Sequence, residues 1–339
     1  MIGLIYFLLA LGLIVVVHEF GHLIVAKRNG VYCHEFSVGM GPRIKHFHTD
    51  KTGTEYSLRA IPLGGYVRLA GEEDSKEDLE LEPNQLLSNQ SAWVKIKVLG
   101  AGSFMNLLLT FLIMTIIAFG FGVASSENKV SVIEDFPMYE AGIRTGDRIT
   151  EVAGRPTENV DEVFDLIGAS KGHLDLTVEN KDGVTKEYEV YPNKEGKYGV
   201  TPYKESFRPL QSIEAGVVGT WGLIKQIFMT IALLLGPDYG VDDLAGPLGI
   251  FQMSSGVVKM GLQTALLWIA YLSINIGILN LMPIPALDGG RMVFAFYELI
   301  FRRKANKIGE DTVTLIGVFL LLGLFIYVTF NDVLRGLAG

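Results

Sequence analysis

Charge is scarce in this chain. Asp, Glu, Lys and Arg make up 19% of its 339 residues, against 49% hydrophobic residues, and the mean hydropathy is +0.33. So apolar a composition exceeds what a small soluble domain carries and makes a membrane protein the leading class. Basic residues are the minority charge, 29 Lys and Arg against 37 Asp and Glu, for a net charge of −8. With no polybasic run either, a nucleic-acid partner is not expected. Cysteine is almost absent. Cys33 alone forbids an intramolecular disulfide and any CxxC metal or redox motif, so a bound metal must use histidine and carboxylate. Internal repeats and low-complexity tracts are also missing, which argues against a transporter built from paired, repeat-related segments.

The first 17 residues carry no charged side chain. A secretory signal opens on a positive segment and ends at a small-residue cleavage site, so this start reads as a retained helix, stopped by Lys27 and Arg28. Three further apolar stretches, 98–123, 265–282 and 313–329, have roughly spanning length. The expected fold is a polytopic α-helical membrane protein with four transmembrane helices. A fifth stretch, 215–235, has Lys225 near its centre and breaks at Gly236-Pro237, and it reads as an interfacial helix rather than a span. Lys and Arg close to the span ends set the orientation. Lys27, Arg28, Arg43 and Lys45 follow the first span, Lys95 and Lys97 precede the second, and Arg291, Arg302, Arg303, Lys304 and Lys307 precede the fourth. Those loops are expected in the cytoplasm, with the N-terminus and the region between spans two and three outside.

The expected segments are a first span at 1–26, a cytoplasmic β-rich loop at 27–97 and a second span at 98–123. A soluble α/β domain at 126–205, interfacial helices at 211–262 and a third span at 263–288 follow. A cytoplasmic loop at 289–311 and a fourth span at 312–330 complete the chain. The soluble region resembles a PDZ domain through Ala141-Gly142-Ile143, Gly146-Asp147-Arg148-Ile149, a hairpin turn at Ala153-Gly154-Arg155 and a helix from Asn159. PDZ folds bind extended peptides at a sheet edge; a steric filter that binds no peptide fits the same residues equally well. The loop around Thr54 to Val67 has glycine and proline spaced for hairpins beside the membrane.

His18-Glu19-Phe20-Gly21-His22 is an HExxH sequence on a helix. The two histidines lie one turn apart on one face and can share a zinc ion, with Glu19 beside them to deprotonate water. Its place inside an apolar span sharpens the pattern, because a charged group at bilayer depth costs about 2.5–3.5 kcal/mol on insertion scales and persists for function. A catalytic zinc takes a third protein ligand. The extended HExxHxxGxxH pattern is absent, since Val25 and Arg28 stand where it needs glycine and histidine. Asp288, at the cytoplasmic end of the third span in Asn280-Leu281-Met282-Pro283-Ile284-Pro285-Ala286-Leu287-Asp288-Gly289, is the candidate. Pro283 and Pro285 forbid an undisturbed helix there, and irregular backbone at membrane depth needs protein or a cavity to cover it.

HExxH in the first span with NxxPxPxLDG in the third resembles the site-2 protease family, and one outward PDZ-like domain with four spans resembles its bacterial regulator-of-sigma-E branch. The match covers nearly the whole chain. The resemblance implies an intramembrane zinc metalloendopeptidase with His18, His22 and Asp288 as ligands and Glu19 as base. Asn280, Pro283 and Pro285 would shape and bind the substrate strand. Asn106 matches a family Gly-Pro-x-x-Asn pattern, with Ser103 in place of the proline, and would also bind substrate. Implied substrates are single-span proteins already trimmed outside, such as anti-sigma factors, or remnant signal peptides. Gly246-Pro247-Leu248-Gly249-Ile250 resembles a further family segment. The remaining histidines, His34, His46, His48 and His173, read as surface residues. A membrane-tethered soluble-type zincin would need its HExxH outside the bilayer, and a scaffold reading predicts no zinc at all.

Overall fold

The computed structural model describes residues 2–72, 75–170, 172–205, 209–234, 236, 240 and 245–338. Along the chain run α1 (Ile2–Arg28), β1 (Cys33–Thr49), β2 (Glu55–Leu69) and α2 (Ala92–Phe121). Then come β3 (Val123–Ala124), β4 (Val130–Val132), α3 (Pro137–Glu140), β5 (Arg148–Val152), β6 (Arg155–Pro156), α4 (Val160–Ala169), β7 (Leu174–Glu179), β8 (Thr185–Val190), β9 (Val200–Pro202) and β10 (Lys204–Glu205). The chain continues through α5 (Pro209–Leu234), α6 (Pro247–Lys259), α7 (Leu262–Leu281), α8 (Asp288–Phe301) and α9 (Lys307–Ala338). It divides into two compact units, residues 1–114 with 216–339, and residues 115–215.

Among the described residues five helices, not four, are long and apolar enough to cross a membrane: α1, α2, α5, α7 and α9. The extra one is α5, within the stretch expected to hold interfacial helices. Lys225, whose charge argued against a span, lies over the Trp221 ring one turn away, an arrangement that lets its stem run along apolar surface.

In the first unit, the buried face of α1 is a stripe at a spacing of four: Ala10, Ile14, His18, His22 and Ala26. That spacing keeps one face of a helix on its neighbours. Small residues let those neighbours come close. A Cβ on Gly21 would collide with the Ala101 carbonyl on α2, and a Cβ on Gly277 of α7 would lie 3.1 Å from the Asn106 Cβ. Hydroxyls tie α2 to α7, with Ser273 Oγ donating to the Asn106 carbonyl at 3.0 Å and the one Thr110 hydroxyl proton shared between that carbonyl at 2.9 Å and the Ala270 carbonyl at 3.2 Å.

The loop after α1 is built from two long strands that fold back on themselves. The first part of β1 pairs with β2 twice: Phe36 faces both Val67 and Tyr56, and Ser37 faces both Tyr66 and Ser57. The later part of β1 then pairs with the start of β2, His46 opposite Ser57 and Thr49 opposite Glu55. The result is four antiparallel runs from two strands, with the 61–69 run of β2 at one edge. Glu35 sits buried at the crossover, accepting from Ser57 Oγ, from Tyr66 Oη at 2.6 Å and from Arg59 at 2.8 Å. Burial pushes its carboxyl up, and those donors more than reverse this, bringing it down to about 2. The edge run packs on α1, where Gly64 and Gly65 lie against Val15 and Val16.

The second unit is a small α/β unit. Its antiparallel sheet has the order β6-β5-β7-β8, with β4 paired to β9 and β3 to β10. Ala153 and Gly154 both have positive φ, 49° and 72°, as a two-residue turn between β5 and β6 requires. Asn159 caps α4 by accepting from the Glu162 amide at 3.0 Å. Val130, Met138, Ile143, Ile149, Val163 and Leu174 form the core.

Candidate metal centre

Three donor atoms converge in the first unit. His18 Nε2 lies 3.0 Å from Asp288 Oδ2, His22 Nε2 lies 3.3 Å from the same oxygen, and the two Nε2 atoms are 3.2 Å apart. Both histidines are 6% exposed. The helix supplies the first pair through its own repeat. Asp288 arrives from far along the chain because α7 ends at Leu281 and α8 begins at Asp288. The connection is irregular in the way its prolines demand. The Ile284 amide donates back to the Met282 carbonyl at 2.7 Å, and Ala286 is held at φ 77°, a left-handed conformation that costs a non-glycine residue about 1–2 kcal/mol. Gly289 and Gly290 then tuck beneath this turn, where a Cβ on either would collide with the carbonyls of Met282 and Ile284.

The donor set fits zinc. Tetrahedral bonds of about 2.0–2.1 Å place ligand atoms about 3.3 Å apart, close to the observed triangle. His22 Nδ1 donates to the Val98 carbonyl at 2.7 Å, so its Nε2 lone pair faces Asp288. Two imidazole nitrogens and a carboxylate oxygen this close repel one another unless a proton or a cation lies between them. Space is left beside them as well: a Cβ on Gly102 of α2 would collide with Nε2 of both histidines.

Glu19 shares the site. Its Oε2 accepts from the Val67 amide at 3.0 Å, a donor on the outward side of the β2 edge. Val67 also lines a cavity of about 950 Å³, together with Glu72, Ala286 and Arg291 among others. Asn106, also expected from sequence, is wholly buried with one amide arm 3.3 Å from His18 Nδ1. Asn280, Pro283 and Pro285 lie at the end of α7 and on the turn toward Asp288, without a hydrogen bond to the three donors.

Sequence reasoning passed over Gly102 as a site residue, and Val67 was seen only as part of a β-rich loop. It also missed that His34 is tied to Asp78 at 2.7 Å with its side chain largely covered, rather than lying free on the surface. A second cluster, His173, Asp175 and Glu189, lies exposed on the surface of the second unit.

Residues 6–324 match the description of peptidase family M50. The chain belongs to that family. A protein of Clostridium perfringens is 35% identical over 98% of both chains. The zinc metalloprotease RasP of Bacillus licheniformis is 30% identical, with 97% of this chain and 98% of the relative covered. The regulator of sigma-W protease RasP of Bacillus subtilis is 30% identical over 97% of each. This M50 member, of the site-2 protease type, is accordingly a zinc metalloprotease and a multi-pass membrane protein acting within the membrane.

Proposed function

We propose that His18, His22 and Asp288 hold the zinc and that Glu19 is the general base in hydrolysis of peptide bonds inside transmembrane segments. The observation that carries this reading is the triangle of donor atoms at 3.0–3.3 Å with Glu19 beside it. Zinc bound there supplies Lewis acidity to the scissile carbonyl and to the attacking water. Glu19 takes a proton from that water as its oxygen attacks, and returns it to the amine as the C–N bond breaks.

Presentation is the harder task. A transmembrane helix hides its carbonyls in its own hydrogen bonds and must unwind to be cut, so its backbone needs replacement partners. The edge of β2 at 61–69 would offer them to an extended strand, and Asn280, Pro283 and Pro285, which the family resemblance points to, are the further candidates for binding it. Lys and Arg near the span ends favour a cytoplasmic side for the site, and an outer location for residues 126–205, read as PDZ-like. Substrates of this chain are single-span proteins already trimmed outside, such as anti-sigma factors, or remnant signal peptides; the relative named a regulator of sigma-W protease supports the first class.

Cleavage of a model single-span substrate by the purified full-length chain, with zinc analysis, tests the assignment. Wild type should contain one zinc and cleave. Glu19→Gln should keep the zinc and lose turnover; measurable cleavage by that variant would sink the base assignment.

A further inference from the structure

The two histidines are not supported alike. His22 gives its Nδ1 proton to a backbone carbonyl, that of Val98. His18 instead turns Nδ1 to the side-chain amide of Asn106, one arm of which lies 3.3 Å away. Asn106 is wholly buried, and its other amide arm has no hydrogen-bond partner. An asparagine amide presents an acceptor on one arm and a donor on the other, and the surrounding hydrogen bonds decide which is which. In either orientation one arm stays unpaired, so the contact with His18 alone discriminates.

Consider each orientation for a neutral imidazole. With the NH₂ arm toward His18, Nδ1 accepts, and the ring proton is forced onto Nε2. That proton then points at His22 and Asp288 and occupies the lone pair a metal needs. With the oxygen arm toward His18, Nδ1 carries the proton and donates, and Nε2 is free to ligate. The second arrangement also gives His18 what Val98 gives His22.

We infer that Asn106 turns its carbonyl oxygen to His18 Nδ1 and is the positioning residue that fixes the tautomer and aim of this ligand. The inference rests on the metal reading proposed above. Asn106 is well placed to hold a ring still. Its own carbonyl accepts from Thr110 Oγ1 at 2.9 Å and from Ser273 Oγ at 3.0 Å, and Gly277 allows α7 to close directly on its Cβ. A support so fixed passes its rigidity to the ligand it holds. The family resemblance pointed to this asparagine as a contact for substrate; the geometry gives it a contact with His18.

Two measurements on the full-length chain in detergent test this. In the metal-free wild type, nitrogen spectra of ¹⁵N-histidine-labelled protein, with His18 assigned by its loss in His18→Ala, should place the ring proton on Nδ1. A proton on Nε2 with none on Nδ1 overturns the inference, a result read on the wild type once the His18 signal is assigned. Zinc affinity is then read by competition with a chromophoric chelator. Asn106→Leu, close in volume but without an acceptor, should bind zinc about 10–100-fold more weakly. Asn106→Asp, which offers an acceptor on either arm, should bind at least as tightly as wild type. An Asn106→Leu affinity equal to wild type, or an equal loss in Asn106→Asp, also overturns it. Absence of zinc from the wild type overturns the metal reading itself, whereas a zinc-loaded wild type with an unchanged leucine variant overturns only the role of Asn106.

Discussion

At the scale of single residues, the chemistry was legible where it is local. His18, Glu19 and His22 share one turn of helix, and their spacing alone forecasts two nitrogens on one face. Asp288 was legible through charge, since Lys and Arg at the span ends predict both motifs on one side of the membrane. Gly102 was invisible, because its importance is an absence of atoms opposite another helix. That absence makes a prediction. A methyl group at position 102 meets Nε2 of both histidines, so Gly102→Ala should lose stoichiometric zinc while the helices still pack. Gly100→Ala is the control, because a Cβ there comes no closer than 3.7 Å to Met292. Metal analysis of the two purified variants decides the matter: an alanine at 102 that keeps its zinc would show that the space beside the histidines is not needed.

At the scale of elements, the apolar helices and the break after α7 were readable, but the sheet was not. Glycine and proline in 33–67 marked turns, yet alternation of side chains cannot reveal that two strands each pair twice. Glu35 shows what holds that arrangement, since one buried carboxylate gathers donors from three positions of β2. Its pH dependence follows. The folded group titrates near 2 against an ordinary value of 4.5. A depressed carboxylate contributes stability that is fully present above its unfolded pKa and is lost as pH falls toward the folded one. The shift corresponds to roughly 3 kcal/mol. Thermal unfolding of wild type and Glu35→Gln should therefore show a constant gap above about pH 5, closing between about pH 4.5 and pH 2. A gap that does not change with pH would mean that the carboxylate's charge contributes nothing. The subtraction matters because Asp50 and Asp78 are also depressed and would blur the acid transition of either protein alone.

At the scale of the whole chain, helix direction limits how many of the five apolar helices can cross. α1 and α7 run the same way: Tyr6 donates to the Ala265 carbonyl at 2.6 Å near their beginnings, and His18 meets Asp288 just past the end of α7. α2 runs oppositely, for Asn106 meets Ser273 while Thr110 meets the earlier Ala270. Between α2 and α7 the chain must then cross an even number of times. α5 by itself would supply one crossing. By Gly246, which donates to Asp332 near the end of α9, the chain is back at the end where α1 begins, since Gly3 abuts Ser255 of the next helix. A return crossing within 235–245 would need nearly full extension at about 3.5 Å per residue, and extended backbone has no hydrogen-bond partners in lipid. We propose four crossings, by α1, α2, α7 and α9, which would satisfy the parity if α5 enters and leaves on the same side. Native Cys33 is buried, which leaves a quiet background for single-cysteine labelling. With a membrane-impermeant maleimide on intact expressing cells, Gly240→Cys, where a Cβ meets nothing within 4 Å, should react from the same side as Ile2→Cys and from the side opposite Arg303→Cys. Reaction from the Arg303 side would make α5 a true span and require a second crossing before α7.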